Sequence, residues 1–295
     1  MSKIIPSASQ IPWPDAVSLG QYPGMIPGRK FGTSPLMATT DSDDQDIWLV
    51  GSANGLKVNR IDIDIDTPVA IYYTSTDDTD TVEMVVFATI LNTDLGIKEN
   101  VALTHDLNGQ TPTLLTYTDP DTGTVYNTFS RVFRAANNNG TALAGSVYYS
   151  TGPVENFTAG VPDSTDQIQA YVHVTEQQTL MTHVFIPDNY WAILKVVAPK
   201  ILNEGSTTAT NGDLRLKIKS CGKTYLTKDV FPVSSSSGTS PYVFGASEPL
   251  APCTDVKFVV TGGSVGRAST RFSVTYWFEL FRTDRISMDM FGVFS

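Results

Sequence analysis

The sequence is poor in cysteine and contains no long hydrophobic run. Only Cys221 and Cys253 are present in 295 residues, which is too few for a disulfide framework and unlike the paired spacing of a zinc site. We therefore expect two reduced thiols in or near a core. No apolar run approaches the roughly 18 residues that span a bilayer, and the first residues lack the apolar segment of a signal peptide. These absences predict a protein that is made in the cytosol and has no membrane partner.

Positive charge is also scarce. The chain has 20 Lys and Arg residues against 30 Asp and Glu residues, which gives a formal net charge of −10. Charged residues make up 17% of the chain, below the roughly 25% that is usual in soluble domains. Binding to nucleic acid requires clusters of Lys and Arg that neutralise phosphates, and the sequence shows no such cluster. We expect no direct contact with nucleic acid.

Signatures of catalysis are missing as well. The only histidines are His105, His173 and His183, and the last two lie on adjacent runs without a third metal ligand. The glycine-rich segments lack the lysine of a phosphate loop. The 30 acidic residues leave a glycosidase pair of carboxylates open, but nothing singles one pair out. We predict that the protein is not an enzyme and has no cofactor.

Two short patterns of aspartate are weak candidates for metal ligands. Asp62, Asp64 and Asp66 alternate with isoleucines, which on a strand would place three carboxylates on one face about 7 Å apart. The favoured interpretation is a solvated face that discourages edge pairing. Asp119 and Asp121 resemble the first half of a calcium loop, but the downstream Glu and the flanking helices of an EF-hand are absent. A hairpin loop is the favoured interpretation there.

The chain does contain a long series of β-type runs. From 167 to 199, QIQAYVHVT, TLMTHVFIP and YWAILKVVAP follow one another with short breaks and no helical pattern. Turn clusters rich in Gly, Asn and Asp separate similar runs elsewhere. The predicted strands are Val58–Asp66, Val69–Thr74, Thr81–Leu91, Asn100–His105, Thr113–Tyr117, Val125–Arg134, Ala144–Ser150, Ile168–Val174, Leu180–Ile186, Tyr190–Ala198, Asp213–Lys219, Lys223–Val233, Asp255–Thr261 and Ser269–Phe281. This pattern predicts an all-β fold of two antiparallel β-sandwich or jelly-roll-like domains, residues 58–163 and 164–295.

The N-terminal segment, residues 1–57, has a different composition. It is rich in Pro and Gly and carries four large aromatic residues: Trp13, Tyr22, Phe31 and Trp48. Proline density prevents a regular helix, and scattered aromatic side chains require a surface to bury against. We interpret the segment as an extended arm that docks on its own body or on a neighbouring subunit, with these four residues as assembly anchors.

Several short elements occur in a recognisable order along the chain. The first two are Lys30-Phe31-Gly32 and Asp46-Ile47-Trp48. The later elements are YTSTDDT at 73–79, VAL at 101–103 with LNG at 107–109, RVFR at 131–134 with NGT at 139–141 and GSV at 145–147, and EQQTLM at 176–181 through FIP at 185–187. Together they resemble a family of structural proteins of tailed bacteriophages that is common in marine and cyanobacterial phages. The resemblance covers residues 30 to 281.

The resemblance implies a virion component and brings no catalytic residues with it. We therefore expect a virion structural protein, assembled in the host cytoplasm, that decorates the capsid or a vertex or forms part of the neck or tail. Its expected partners are itself, as a homo-oligomer such as a trimer, and other virion proteins such as the major capsid protein or neck and tail proteins. The alternative is a receptor- or glycan-binding module of a tail fibre or spike, in which Tyr190, Trp191 and Tyr242 contact sugar rings.

Overall fold

The computed structural model describes residues 25–34, 44–48, 62–164, 167–203, 211–234, 240–244, 249–261 and 270–283. Within these ranges the chain is all-β, every strand pairing is antiparallel, and no α-helix is present; a 3₁₀ turn lies at Val154–Asn156. The expected all-β class with antiparallel sheets is therefore confirmed. The sheets follow one another in a propeller-like arrangement instead of forming two jelly rolls.

The two longest described strands, β15 and β20, lie in the second half of the chain. The first half contains β1 (Met25–Thr33), β2 (Gln45–Asp46), β3 (Tyr72–Ser75), β4 (Glu83–Asn92), β5 (Ile97–Asp106), β6 (Thr113–Leu114), β7 (Tyr117–Thr118), β8 (Val125–Tyr126), β9 (Arg131–Asn137) and β10 (Val147–Ser150). The second half contains β11 (Phe157–Thr158), β12 (Val161–Pro162), β13 (Ile168–Val172), β14 (Val184–Ile186), β15 (Tyr190–Asn203), β16 (Asn211–Ser220), β17 (Leu226–Ser234), β18 (Tyr242–Val243), β19 (Thr254–Thr261) and β20 (Thr270–Arg282).

A first core lies among strands of the N-terminal half and β13 of the second half. It is covered by a sheet in the order β13-β10-β3-β6 and by another in the order β5-β4-β9. The β4 strand shows the two-residue period of a half-buried strand, because Met84, Val86, Ala88 and Ile90 are fully buried while the residues between Met84 and Ala88 are not. Alternating apolar residues therefore fold this segment against one side of the sheet.

A second core lies among the strands of the C-terminal half. One sheet has the order β1-β20-β15-β18, the other has the order β14-β19-β16-β17, and both supply residues to this core. On β20 the side chains of Phe272, Val274 and Tyr276 are buried, whereas Trp277 is exposed, as the alternation in this strand predicts. The two cores are contiguous clusters of different residues, and the predicted domain boundaries stay a prediction.

The described part of the N-terminal arm is docked on the C-terminal sheets by backbone pairing. The β1 strand pairs with β20 along its whole length, and β2 pairs with β19. Gly28 is required at its position because a Cβ there would overlap the ring of Phe278. Ile47 enters the second core and the adjacent Trp48 enters the first. The arm thus tethers the two cores through neighbouring side chains.

Three of the strand predictions are wrong in detail, and one of them, Thr113–Tyr117, is divided between β6 and β7. Residues 62–66 of the predicted strand Val58–Asp66 form no strand, because the chain turns where the Thr67 amide donates to the Asp64 carbonyl at 3.2 Å. The predicted strand Val125–Arg134 is divided into β8 and β9. The Asp64 carboxylate also accepts the Asp66 amide, so local bonding to the backbone breaks the Val58–Asp66 run although it looks continuous in sequence.

The prediction of two reduced thiols is also wrong. Cys221 and Cys253 form a disulfide, with their Cα atoms 5.4 Å apart, within the usual range for such bonds. Cys221 follows Ser220, the last residue of β16, and Cys253 precedes Thr254, the first residue of β19; Ser220 and Thr254 are paired with each other. The Cys221 amide also donates to the Cys253 carbonyl at 2.8 Å. Pairing of the two strands brings together cysteines that are separated by 32 positions.

Candidate functional site

The two cores meet at a buried ion pair. Arg131 on β9 is fully buried, and its Nε and Nη2 atoms donate to the two carboxylate oxygens of Asp255 on β19, at 2.9 Å and 2.6 Å. Its Nη1 atom donates to the carbonyls of Ile63 and Ser130. This bidentate geometry is the strongest form of an ion pair. It joins a strand of the first half directly to a strand of the second.

His183 completes this buried group. Its Nε2 atom lies 2.8 Å from Asp255 Oδ1. Burial alone would raise the pKa of Asp255, but the hydrogen bonds and charges of Arg131 and His183 hold that pKa well below its ordinary value. Burial opposes the charge of Arg131, and the Asp255 carboxylate raises the pKa of Arg131 above its ordinary value. The group keeps its charges inside the protein and has no open position for a substrate, so we assign it a structural role.

A surface cleft lies beside this buried group, and we call it the basic cleft. It is lined by Arg29, Lys30, Phe31, Arg134, Gln178 and Thr179 and has a volume of about 360 Å³. The first three residues lie on β1, and Arg134 lies on β9, so the cleft runs between the edge of a C-terminal sheet and the N-terminal half. Clefts between structural units are common binding sites.

The cations of the basic cleft contact aromatic rings. Arg29 lies 5.3 Å from the ring centre of Trp277, and Arg134 lies 5.3 Å from that of Phe87. The Lys30 ammonium group donates to the Phe133 carbonyl and lies 5.5 Å from the ring centre of the same residue. A ring holds a cation in place without neutralising it. Arg29 and Arg134 therefore bring two positive charges to the cleft of a chain whose formal charge is −10.

Of the predicted assembly anchors, the structure describes two. Phe31 lines the basic cleft and is 40% exposed, whereas Trp48 is 3% exposed and packs within the first core. Trp48 therefore anchors the arm on its own chain and has no apolar surface left to offer a partner. Trp13 and Tyr22 lie outside the described residues, and their role as anchors stays a prediction.

The predicted glycan contacts do not form one platform. Tyr190 and Trp191 begin β15 and are partly buried, whereas Tyr242 pairs with Val197, six positions further along the same strand. At about 3.3 Å per residue, Trp191 and Tyr242 are roughly 20 Å apart along β15. The Tyr242 hydroxyl also donates to the Pro232 carbonyl at 3.0 Å. The three rings are therefore not placed to stack on a single sugar.

The first group of metal candidates is dispersed among different partners. Asp62 accepts a hydrogen bond from the Tyr225 hydroxyl at 3.2 Å, and Asp66 pairs with Lys98 at 2.7 Å. Asp64 accepts the Asp66 amide at 3.0 Å and so stabilises the local turn. The three carboxylates do not lie in a row on a strand, because no strand forms there.

The second pair of metal candidates lies in a hairpin turn, as the favoured interpretation predicts. The Asp119 carboxylate accepts the amides of Asp121 and Thr122 at 2.8 Å and 3.4 Å, between β7 and β8. Gly123 has a φ of +73°, which a glycine adopts without strain. Across the described ranges, no group of three His, Cys, Asp or Glu residues is arranged to hold a metal ion.

The remaining histidines have separate surroundings. His173 bonds to the Thr175 hydroxyl at 2.8 Å in a partly exposed loop, and nothing in the structure joins it to His183. His105 stacks on Tyr73 with ring centres 3.7 Å apart, and its Nε2 atom lies 3.1 Å from the Tyr149 hydroxyl. Burial is the largest influence on His105 and lowers its pKa to about 4. It is therefore neutral at pH 7.

Sequence reasoning missed both the buried ion pair and the basic cleft. Lys30 and the Phe133 carbonyl that it contacts are 103 positions apart, and Arg131 and Asp255 are 124 positions apart. No local pattern connects residues at such separations. The absence of Lys and Arg clusters in sequence was real, but folding gathers three cations from two distant segments.

The described chain also contains no helix long and apolar enough to cross a bilayer.

Comparisons with known proteins give little similarity. No protein-family model matches the chain, and no curated protein matches it. Among solved structures, one weak match is to the structure of infectious bursal disease virus Gt strain, with 10% sequence identity and a TM-score of 0.15. The alignment covers 92% of this chain and 83% of that chain. A TM-score this low carries no argument about fold or function.

Proposed function

We propose that this chain is a non-enzymatic structural protein of a bacteriophage particle that assembles through its β-sheets and its N-terminal segment. The observation that carries the proposal is the exposed edge strand β1, which is docked on the chain's own body and presents Phe31 and Arg29 next to the exposed Trp277. Exposed aromatic and arginine side chains are typical of interfaces between proteins. Their position on a sheet edge favours a partner surface over a catalytic pocket.

The contacts between the two halves support this proposal. A bidentate buried ion pair links the two halves, and Ile47 and Trp48 enter both cores from one short segment. A building block whose halves are fixed relative to each other suits a particle, because relative motion of the halves would change the geometry of every contact.

Each core would define one β-unit, and we propose that at least the second is a β-sandwich, since its two sheets supply the same core.

The elements that resemble phage structural proteins have packing roles in this structure. In the first, a Cβ on Gly32 would lie 2.6 Å from Thr182 Cγ2, so only glycine allows β1 to approach this residue closely. In the second, Asp46 pairs with Lys257 at 2.7 Å, while Ile47 and Trp48 are buried. Residues that are used for packing agree with a structural role, and none of them forms a reactive group with a neighbour.

The proposed setting is the virion, as capsid decoration, at a vertex, or in the neck or tail, with a homo-oligomer as the assembled form. Quantitative mass spectrometry of purified particles tests it by counting this chain against the major capsid protein. A ratio near one or a simple fraction places the chain on the head lattice. A few to a few dozen copies place it at a vertex, neck or tail. Absence from purified particles contradicts the proposal.

A glycan-binding module is the alternative function. It requires two or three exposed coplanar aromatic rings, and the separation of Trp191 from Tyr242 does not favour it. The same mass spectrometry addresses this alternative, because a receptor-binding module of a tail fibre would also be present in few copies. Loss of glycan retention on replacing Tyr242 by Ala would then separate the two roles.

A further inference from the structure

Arg29 and Arg134 of the basic cleft have no carboxylate partner among the described residues. In the described ranges no carboxylate lies within ion-pair distance of Arg29 or Arg134, although Lys98, Lys217 and Lys257 each pair with an aspartate at 2.6 to 2.7 Å. With 30 acidic residues against 20 basic ones, carboxylates are in excess over the whole chain. Two arginines that remain without one, on opposite walls of the same cleft, are suited to an acidic ligand from outside the chain.

Among the described strands, none pairs with the backbone edge of β1 on the same side. The Ser34 amide donates to the Phe272 carbonyl at 2.7 Å, so residues 34 and 272 form a hydrogen-bonded pair. Pairs alternate along an antiparallel ladder, and therefore the amides and carbonyls of Arg29 and Phe31 point away from β20. The Thr33 amide has the same direction and reaches the Leu180 carbonyl at 3.4 Å. At Arg29 and Phe31, nearer the middle of β1, this edge faces the basic cleft.

These two features match one kind of ligand, which is an extended peptide segment that carries carboxylates. Open amides and carbonyls pair with the backbone of an added strand, while Arg29 and Arg134 attract its acidic side chains. A saccharide would use the charges but would leave the strand edge unpaired. An acidic peptide is therefore favoured over an acidic sugar.

We propose that the basic cleft is an assembly site, in which an extended carboxylate-bearing segment of a second copy of this chain adds to the free edge of β1. The charge of −10 per chain means that a second copy presents carboxylates in excess, and each copy offers one such cleft. The contact is heterologous, so it links copies head to tail and closes into a ring when the rotation allows. This inference rests on the proposed function, because it assumes self-assembly.

Sedimentation velocity of the full-length protein over a range of concentrations tests the proposal. The variant Arg29→Glu/Arg134→Glu should raise the dissociation constant of self-association by about tenfold or more, because like charges would face each other in the contact. The matched control is Lys223→Glu, an exposed residue of the turn between β16 and β17. It reverses one charge instead of two, and it should leave that dissociation constant within about twofold of the wild-type value. Thermal unfolding verifies that each variant is folded.

A second pair of variants separates strand addition from charge attraction. Phe31→Pro removes an outward-pointing amide, and Pro27 already occupies an equivalent position two pairs earlier in β1. Self-association should weaken more in Phe31→Pro than in Phe31→Ala, which loses the ring but keeps the amide. Raising the salt from about 0.1 M to about 1 M should weaken the wild type and leave Arg29→Glu/Arg134→Glu less affected, because the Debye length falls from about 10 Å to about 3 Å.

The outcomes distinguish this inference from the proposed function. If the wild type self-associates and Arg29→Glu/Arg134→Glu associates equally well, the assembly site is overturned while the proposed function stands. If the wild type is monomeric at every concentration but present in purified particles, the cleft does not bind a second copy, and again only this inference fails. Absence from particles contradicts the proposed function itself. Binding of acidic glycans by a monomeric wild type, lost in the arginine variant, would also overturn the inference.

Discussion

Arg131 on β9 donates two hydrogen bonds to the carboxylate of Asp255 on β19, across 124 positions of sequence. Both side chains are almost completely buried, with exposed fractions of 1% and 4%. A buried pair of this kind brings little net stability when compared with apolar residues, but its disruption leaves a charge without compensation. The pair therefore specifies how the two halves meet more than it stabilises either of them.

Replacement of Arg131 by Met should lower the free energy of unfolding by about 3 to 5 kcal/mol, because Asp255 would remain buried with one strong partner fewer. The double variant Arg131→Met/Asp255→Leu should recover part of this loss. Denaturant unfolding measures both. The control is Lys98→Met, which removes a pair with the largely exposed Asp66 and should cost no more than about 1 kcal/mol. Equal losses for Arg131→Met and Lys98→Met would contradict the structural role of the buried pair.

Acid should weaken the buried ion pair by protonating Asp255. Its pKa is lowered in the folded state from an ordinary value of 3.8, so its contribution to stability is present above that value and is lost as the pH falls below it. The wild type should therefore lose more stability than Arg131→Met/Asp255→Leu between about pH 4 and about pH 2. Unfolding curves across this range measure the difference. Parallel curves for the two proteins would show that Asp255 does not titrate as described.

His105 should produce a pH dependence in a different range. Its pKa is about 4 in the folded protein against an ordinary value of 6.5. Between these pH values the unfolded chain is therefore protonated at His105 while the folded protein is not. Stability should fall by about 2 to 3 kcal/mol as the pH is lowered from 6.5 to 4. His105→Gln should remove this part of the dependence in equilibrium unfolding, whereas His173→Gln, in a partly exposed loop, should retain it. A slope that persists in His105→Gln would assign the effect to other groups.

The disulfide between Cys221 and Cys253 should contribute to stability. It closes a loop of 32 positions, and loops of this length correspond to roughly 2 to 4 kcal/mol. Reductant should therefore lower the unfolding free energy of the wild type by that amount. The variant Cys221→Ser/Cys253→Ser should be less stable to the same extent and insensitive to reductant. A free-thiol assay on the unfolded, non-reduced protein that finds two thiols would contradict the bond.

Trp48 and Phe31 should have opposite effects on folding and assembly. Trp48→Ala should lower the free energy of unfolding by about 3 to 5 kcal/mol, because the side chain is buried in the first core. Phe31→Ala should change it by less than about 1 kcal/mol, since its ring is exposed, but should weaken self-association. Denaturant unfolding and sedimentation of both variants measure this contrast. Equal folding losses would show that Phe31 is part of the folded core.

Much of the fold could be predicted from local pattern. The β-type run at Ser269–Phe281 predicted β20, and the Asp119 turn predicted the hairpin between β7 and β8. Both signals depend on residues that are close in sequence. The strand at Val58–Asp66 failed for the same reason, because alternation of Ile and Asp has the period of a strand even where Asp64 bonds to the backbone of a turn.

The sequence by itself determined that this protein is an antiparallel β protein with an aromatic, proline-rich arm, since side-chain period and turn residues act over a few positions. Only the tertiary structure decided that the arm supplies an edge strand, that the cysteines meet, and that Arg131 finds Asp255. It also decided that Arg29, Lys30 and Arg134 share one cleft. These relationships depend on which strands become neighbours, and strand order is set by packing of distant apolar faces that no local pattern records.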